Sequence, residues 1–155
     1  MTKTIEIISK PRAWLLNFIS DLSIEQLNKV PAGFNNNIIW NLGHMVAAQQ
    51  GICYRRAGVD TIVTPEFMDT YGSNTKPEKF LDEAELETIK ELFITTLDQF
   101  VIDHRKNLFS DYIPWTTRYG VDMTNIDDAV QFLPFHEGLH VGYVMAQKRA
   151  ILQGL

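Results

Sequence analysis

Apolar residues recur at helical spacing along most of the chain. Trp14, Leu15, Phe18, Ile19 and Leu22 lie three or four residues apart and form one stripe, predicting a helix from about Ser9 to Leu22. Pro11 then falls in its first turn, where the missing N–H is harmless. Ser23 and Gln26 have capping-box spacing ahead of Leu27, so a short helix follows and ends at Pro31-Ala32-Gly33. A second long helix is expected from about Asn36 to Ala57, stopped by Gly58. Residues 58–80 are polar, contain Pro65, Gly72 and Pro77, and show little periodicity. A loop of that length in a small domain commonly has a functional role, for instance as a lid.

The third long helix is expected from about Asp82 to Arg105. Leu86, Ile89, Phe93, Leu97 and Phe100 form its buried stripe, and Asp82, Glu83 and Glu85 suit its positive end. Tyr112–Gly120 reads as an extended connection or short hairpin. The last helix is expected from about Thr124, with Asp127 completing a cap-like pair, to about Leu152. Pro134 predicts a kink near Leu133 or a helix start at the proline itself. Four long helices in one 155-residue domain, residues 1–155, imply an all-α fold of the up-and-down four-helix bundle type.

Composition narrows the setting. The hydrophobic share is 45% and the charged share 21%, enough for a packed core. A net charge of -5 and only short basic clusters argue against a nucleic-acid partner. No segment has the apolar length of a membrane span or of a signal peptide, and a single cysteine, Cys53, suits a reducing compartment. A cytoplasmic protein is expected, with Cys53 as a small core residue.

The chemistry lies in the histidines, of which there are four: His44, His104, His136 and His140. His136 and His140 are four apart. On a helix this stacks them on one face, about 5–6 Å apart at Cβ, a span that one metal ion can bridge. Ala129, Phe132, Leu133, Tyr143 and Val144 share that face, so both rings point into the apolar side. Buried imidazoles need partners, either a metal ion or hydrogen-bonding neighbours, and spacing alone leaves both open. The run HEGLH matches the letters of a zinc-protease helix. Such sites take their third ligand downstream, however, and no Asp, Glu, His or Cys follows His140. The third ligand must come from upstream. His44, in mid-helix near Ala47, Ala48 and Gly51, is the natural candidate; His104, at a helix end, suits a surface or capping role.

The run Asn37–His44 (NIIWNLGH), the later His136–Gly142 (HEGLHVG) and the intervening Phe67–Ser73 (FMDTYGS) together resemble the DinB/YfiT-like proteins over nearly the whole chain. The resemblance implies a four-helix bundle with a three-histidine site for nickel, zinc or a similar divalent ion, and carries His44, His136 and His140 over as ligands. It also implies transferases or isomerases that use low-molecular-weight thiols as one possible activity, and a homodimer.

Three histidine ligands leave coordination positions open for water or substrate. Such an ion lowers the pKa of bound water or of a thiol. The first expectation is therefore a metal-dependent hydrolase or small-thiol-dependent S-transferase acting on a small molecule. Glu137 is a candidate general base. Adjacent helical residues point roughly 100° apart, though, which favours a supporting carboxylate. Asn41, one turn before His44, is a candidate to orient a ligand or hold water. The competing expectations are a non-catalytic metal- or ligand-binding bundle that acts through dimerisation, and a metal-free core in which the histidines are hydrogen-bonded. Trp40, Phe67, Tyr71 and Trp115 are candidate pocket residues.

Overall fold

A computed structural model describes residues 2–155. Its helices are α1 (Thr2–Phe18), α2 (Ile24–Asn28), α3 (Ile38–Gln49), α4 (Pro65–Tyr71), α5 (Glu83–Arg105) and α6 (Ile126–Leu152), with a two-stranded ribbon of β1 (Trp115–Thr116) and β2 (Asp122–Met123) before α6. The fold is all-α. Helix α1 packs on α5 and α6, and α3 packs on the same two helices. None of the described helices is long and apolar enough to cross a membrane.

Caps in the sequence set most boundaries. Ser23 and Gln26 form a reciprocal capping box on α2, and Asp82 and Glu85 form another on α5. Asn37 caps α3 by accepting from Trp40 N, and its Nδ2 donates to Asn28 O, tying α3 to the end of α2. After Gln49 the chain stays helical through a π turn (Gln50–Tyr54) and a 3-10 turn (Arg55–Ala57), then stops at Gly58 with φ +67°. A left-handed residue there is what glycine supplies at low cost.

Three expectations are corrected. Helix α1 begins at Thr2 and ends at Phe18, so Pro11 lies inside it. Its absent N–H leaves a carbonyl on Ile7, a residue half-exposed to water. The 58–80 segment is not one loop: Thr64 caps α4 and Pro65 occupies its first turn. Helix α6 begins one residue beyond its cap Asn125, which accepts from Asp128 N rather than pairing with Asp127, and it runs unbroken through Pro134.

The core falls in two parts. One, around Ile38, Leu42, Met45 and Phe93, fills the space between α1, α3 and α5. The other, around Cys53, Tyr54, Phe100 and Phe109, lies near the ribbon. Between them sits a buried charge, Arg12 of α1. It donates to both carboxylate oxygens of Glu137 on α6 (3.0 and 2.5 Å), to Phe93 O on α5 (2.7 Å), and to Gln49 Oε1 and Met45 O on α3 (3.3 and 3.5 Å). Five guanidinium N–H groups thus meet five acceptors, and four long helices are tied at one residue.

Candidate metal centre

Helices α3 and α6 lie side by side, and their contact brings His44, His136 and His140 together. The ring centroids are 5.4 Å (His44–His136), 4.7 Å (His44–His140) and 4.6 Å (His136–His140) apart. One nitrogen from each ring lies within 4.8 Å of the others. His104 is elsewhere, at the end of α5, with Nε2 3.3 Å from Asp127 Oδ1.

The neighbours decide which nitrogen each ring presents. His44 Nδ1 donates to Tyr71 O at 2.7 Å, leaving Nε2 as a lone pair. Tyr71 reaches that position because residue 43 is glycine: a Cβ on Gly43 would lie 2.4 Å from the Tyr71 ring. Gly72 then ends α4 where a Cβ would strike Met68 O, which fixes the turn that presents the Tyr71 carbonyl. The long segment after α3 therefore supplies a hydrogen-bond acceptor to the site. On its other flank His44 stacks on Trp40, 4.7 Å away and 12° from parallel, and Trp40 Nε1 donates to Thr75 Oγ1.

His140 Nδ1 lies 2.8 Å from Asn41 Oδ1. The amide nitrogen of Asn41 faces three oxygens, Asn37 O at 2.8 Å, Asn36 Oδ1 at 2.9 Å and Gln147 Oε1 at 3.1 Å. It must donate to them, so Oδ1 must accept from His140, whose Nε2 is then free. Gln147 is held in turn through Nε2 by Asn36 O and Oδ1. His136 differs: its Nδ1 is buried and has no partner among the described residues. A buried ring nitrogen without a partner calls for one, a condition that Gln50 Nε2 shares.

Burial pushes all three imidazoles toward the neutral form. His136 is brought down to about 4 and His140 to about 3, chiefly by desolvation and then by neighbouring imidazoles and Arg118. His44 is lowered by desolvation despite its bond to Tyr71. Neutral rings at neutral pH are what metal coordination requires. The residues present fit a divalent ion: three imidazole nitrogens from two helices, two oriented by a hydrogen bond on the far ring nitrogen.

A DinB superfamily model matches residues 8–144. The chain belongs to the DinB superfamily. No curated protein matches it. The match spans all three histidines, so the DinB assignment and the geometry bear on the same residues.

The remaining candidates separate. Asn41 touches His140. Glu137 is engaged by Arg12 through both oxygens and is almost fully buried, so the general-base role considered for it gives way to a structural one. Trp40 and Tyr71 border His44, and Phe67 packs on Tyr71 at 4.6 Å. Trp115 lies away from the histidines, under Arg56 and bonded to Tyr112 Oη. Sequence reasoning did not find Arg12, Gly43 or Gln147. Arg12 carried a signal, a charge on the stripe of Ile8, Leu15 and Ile19. The Tyr71 carbonyl had none, because any residue supplies one.

Proposed function

We propose that this DinB-superfamily protein is a metal-dependent enzyme of the up-and-down four-helix bundle type, holding one zinc or nickel ion with His44, His136 and His140. In this reading it catalyses hydrolysis of a small molecule or transfer to it of a low-molecular-weight thiol, in the cytoplasm. The observation that carries the reading is the pairing of converging imidazoles with dedicated acceptors, Tyr71 O for His44 and Asn41 Oδ1 for His140.

The bound ion would supply Lewis acidity, lowering the pKa of a water or thiol at its open positions. This chain's residues do the rest. Tyr71 and Asn41 hold two imidazoles with Nε2 forward. The Trp40 ring stacks on His44, which is buried. Arg12 holds Glu137 and with it the turn of α6 that bears His136. With Glu137 so engaged, no protein carboxylate is assigned as base, and the proton leaves through solvent or substrate.

The test is a panel of electrophiles and ester or amide substrates, each assayed with and without small thiols on metal-loaded protein and after chelation. Turnover that vanishes on chelation and returns with zinc or nickel supports the reading. Turnover indifferent to chelation contradicts it.

A second reading, a non-catalytic bundle acting as a homodimer, is favoured by one feature. Phe135, Leu139 and Tyr143 form an exposed stripe on α6 beside Gly138 and Gly142, above which there is open space. Sedimentation of the metal-loaded protein separates a dimer from a monomer.

A further inference from the structure

The segment 62–75, which contains α4, is tied to α3 and the turn that continues it at three points. Ile62 N donates to Gln50 Oε1 at 2.8 Å, His44 Nδ1 to Tyr71 O at 2.7 Å, and Trp40 Nε1 to Thr75 Oγ1 at 3.1 Å. Two of these ties bear on His44. Tyr71 O takes the proton at the ring's edge, and the Trp40 indole stacks on the ring's face, centroids 4.7 Å apart and planes 12° from parallel. Thr75 is bonded to both supports. Its hydroxyl accepts from Trp40 Nε1, and its own proton goes to Thr70 O at 2.8 Å or Gly72 O at 2.9 Å, the carbonyls just before and just after that of Tyr71.

Each bond answers a local need. Trp40 is buried, so its N–H requires an acceptor, and Thr75 supplies it. The chain turns sharply between Gly72 and Thr75. Asn74 has φ +68°, a left-handed conformation that Asn tolerates better than most residues, and Thr75 N reaches Gly72 O at only 3.4 Å. That main-chain bond is long, and the Thr75 hydroxyl reinforces the turn it closes. We propose that Thr75 is a positioning residue for His44: one hydroxyl fixes both the indole on the ring's face and the turn that carries the Tyr71 carbonyl. The inference rests on the metal-site reading above. A carbonyl only accepts, so Tyr71 O holds His44 in the tautomer with Nε2 free, the nitrogen offered to the ion. Loss of the hydroxyl frees the indole and loosens the turn. The ring then gains access to the other tautomer, whose Nε2 proton blocks coordination. His140 is held separately, by Asn41.

The test compares Thr75→Val, which removes the hydroxyl at nearly constant shape, with Thr75→Ser, which keeps it. Two quantities are measured on the full chain. Ring-nitrogen NMR shifts of the metal-free protein at neutral pH report the tautomer of each histidine, and competition with a chromophoric chelator gives the zinc affinity. In Thr75→Val the Nδ1 and Nε2 shifts of His44 should move toward each other while those of His140 stay in place. Zinc affinity should fall about tenfold, the low end of the range for partners of a ligating histidine. Thr75→Ser should restore both. Trp40→Phe keeps a ring to stack but cannot donate, and should move the His44 shifts in the same direction. Unchanged His44 shifts or unchanged zinc affinity in Thr75→Val overturns the role, as does a Thr75→Ser variant that behaves like Thr75→Val. Equal movement of His44 and His140 means general loosening and overturns it too. Wild-type protein that binds no zinc removes the metal site, while the shifts of the metal-free protein still decide whether Thr75 sets the His44 tautomer.

Discussion

Asn41 on α3 accepts the Nδ1 proton of His140 on α6 at 2.8 Å, and its orientation is forced by three oxygens around its own NH2 group. One hydrogen bond thus joins the two helices that carry the histidines and selects the tautomer with Nε2 free.

Replacing that acceptor with an apolar group of similar volume should weaken the metal site and spare its construction. Asn41→Leu is expected to lower zinc affinity about 10–100-fold, the range found when a partner of a ligating histidine is removed. Competition against a chromophoric chelator measures it. Unchanged affinity would mean that Asn41 is only a core contact.

Gly43 is predicted to be intolerant of a single methyl group. A Cβ there would meet three atoms of the rigid Tyr71 ring at 2.4–2.7 Å, so Gly43→Ala must push α4 away and draw the Tyr71 carbonyl off His44. A loss of about 1–3 kcal/mol is expected, as for other overpacked sites, together with weaker metal binding. Urea denaturation with and without zinc reads both. The mid-helix alanine should help by propensity alone, so a stabilised variant would refute the packing argument.

The Arg12–Glu137 pair predicts strong non-additivity. Arg12→Met or Glu137→Leu alone strands a buried charge and should cost about 3–5 kcal/mol. The double variant should lose clearly less than the two losses combined, since neither charge remains. Denaturant melts of the three variants form the cycle. Additive losses would indicate that each residue acts separately.

Acidity should destabilise the metal-free protein through the histidines. The native rings titrate below their ordinary value of 6.5, His136 at about 4 and His140 at about 3, whereas the unfolded chain takes up protons near 6.5. The unfolded state therefore binds more protons in between. Stability is full above pH 6.5 and declines as pH falls from there toward 4 and then 3. The drop in melting temperature between pH 7.5 and 5 should be larger in wild type than in His136→Gln/His140→Gln. Equal drops would assign the acid sensitivity to other groups.

The sequence carried the long helices and the histidine set because both are written in local spacing. His136 and His140 declare a shared face at four residues, and α5 matched its predicted span within a residue because Asp82 and Glu85 cap it locally. What stayed hidden was made by distant partners. Gly43 has meaning only against Tyr71, and Glu137 became structural only once Arg12 was seen to cross from α1. Helix α4 was overlooked although Thr64-Pro65 is a start signal, because its seven residues are too few to show a period. Pro11 misled because a first-turn proline is the common case, and α1 accommodates it in mid-helix on an exposed flank.

The central claim is that one ion sits among His44, His136 and His140. Metal content per chain, determined by elemental analysis after zinc loading and gel filtration, tests it most directly in wild type and four single variants. The account predicts one ion per chain in wild type and in His104→Ala, and loss of that ion in His44→Ala, His136→Ala and His140→Ala. Metal retained in the His44 variant at the wild-type level, or lost equally from the His104 variant, would contradict it.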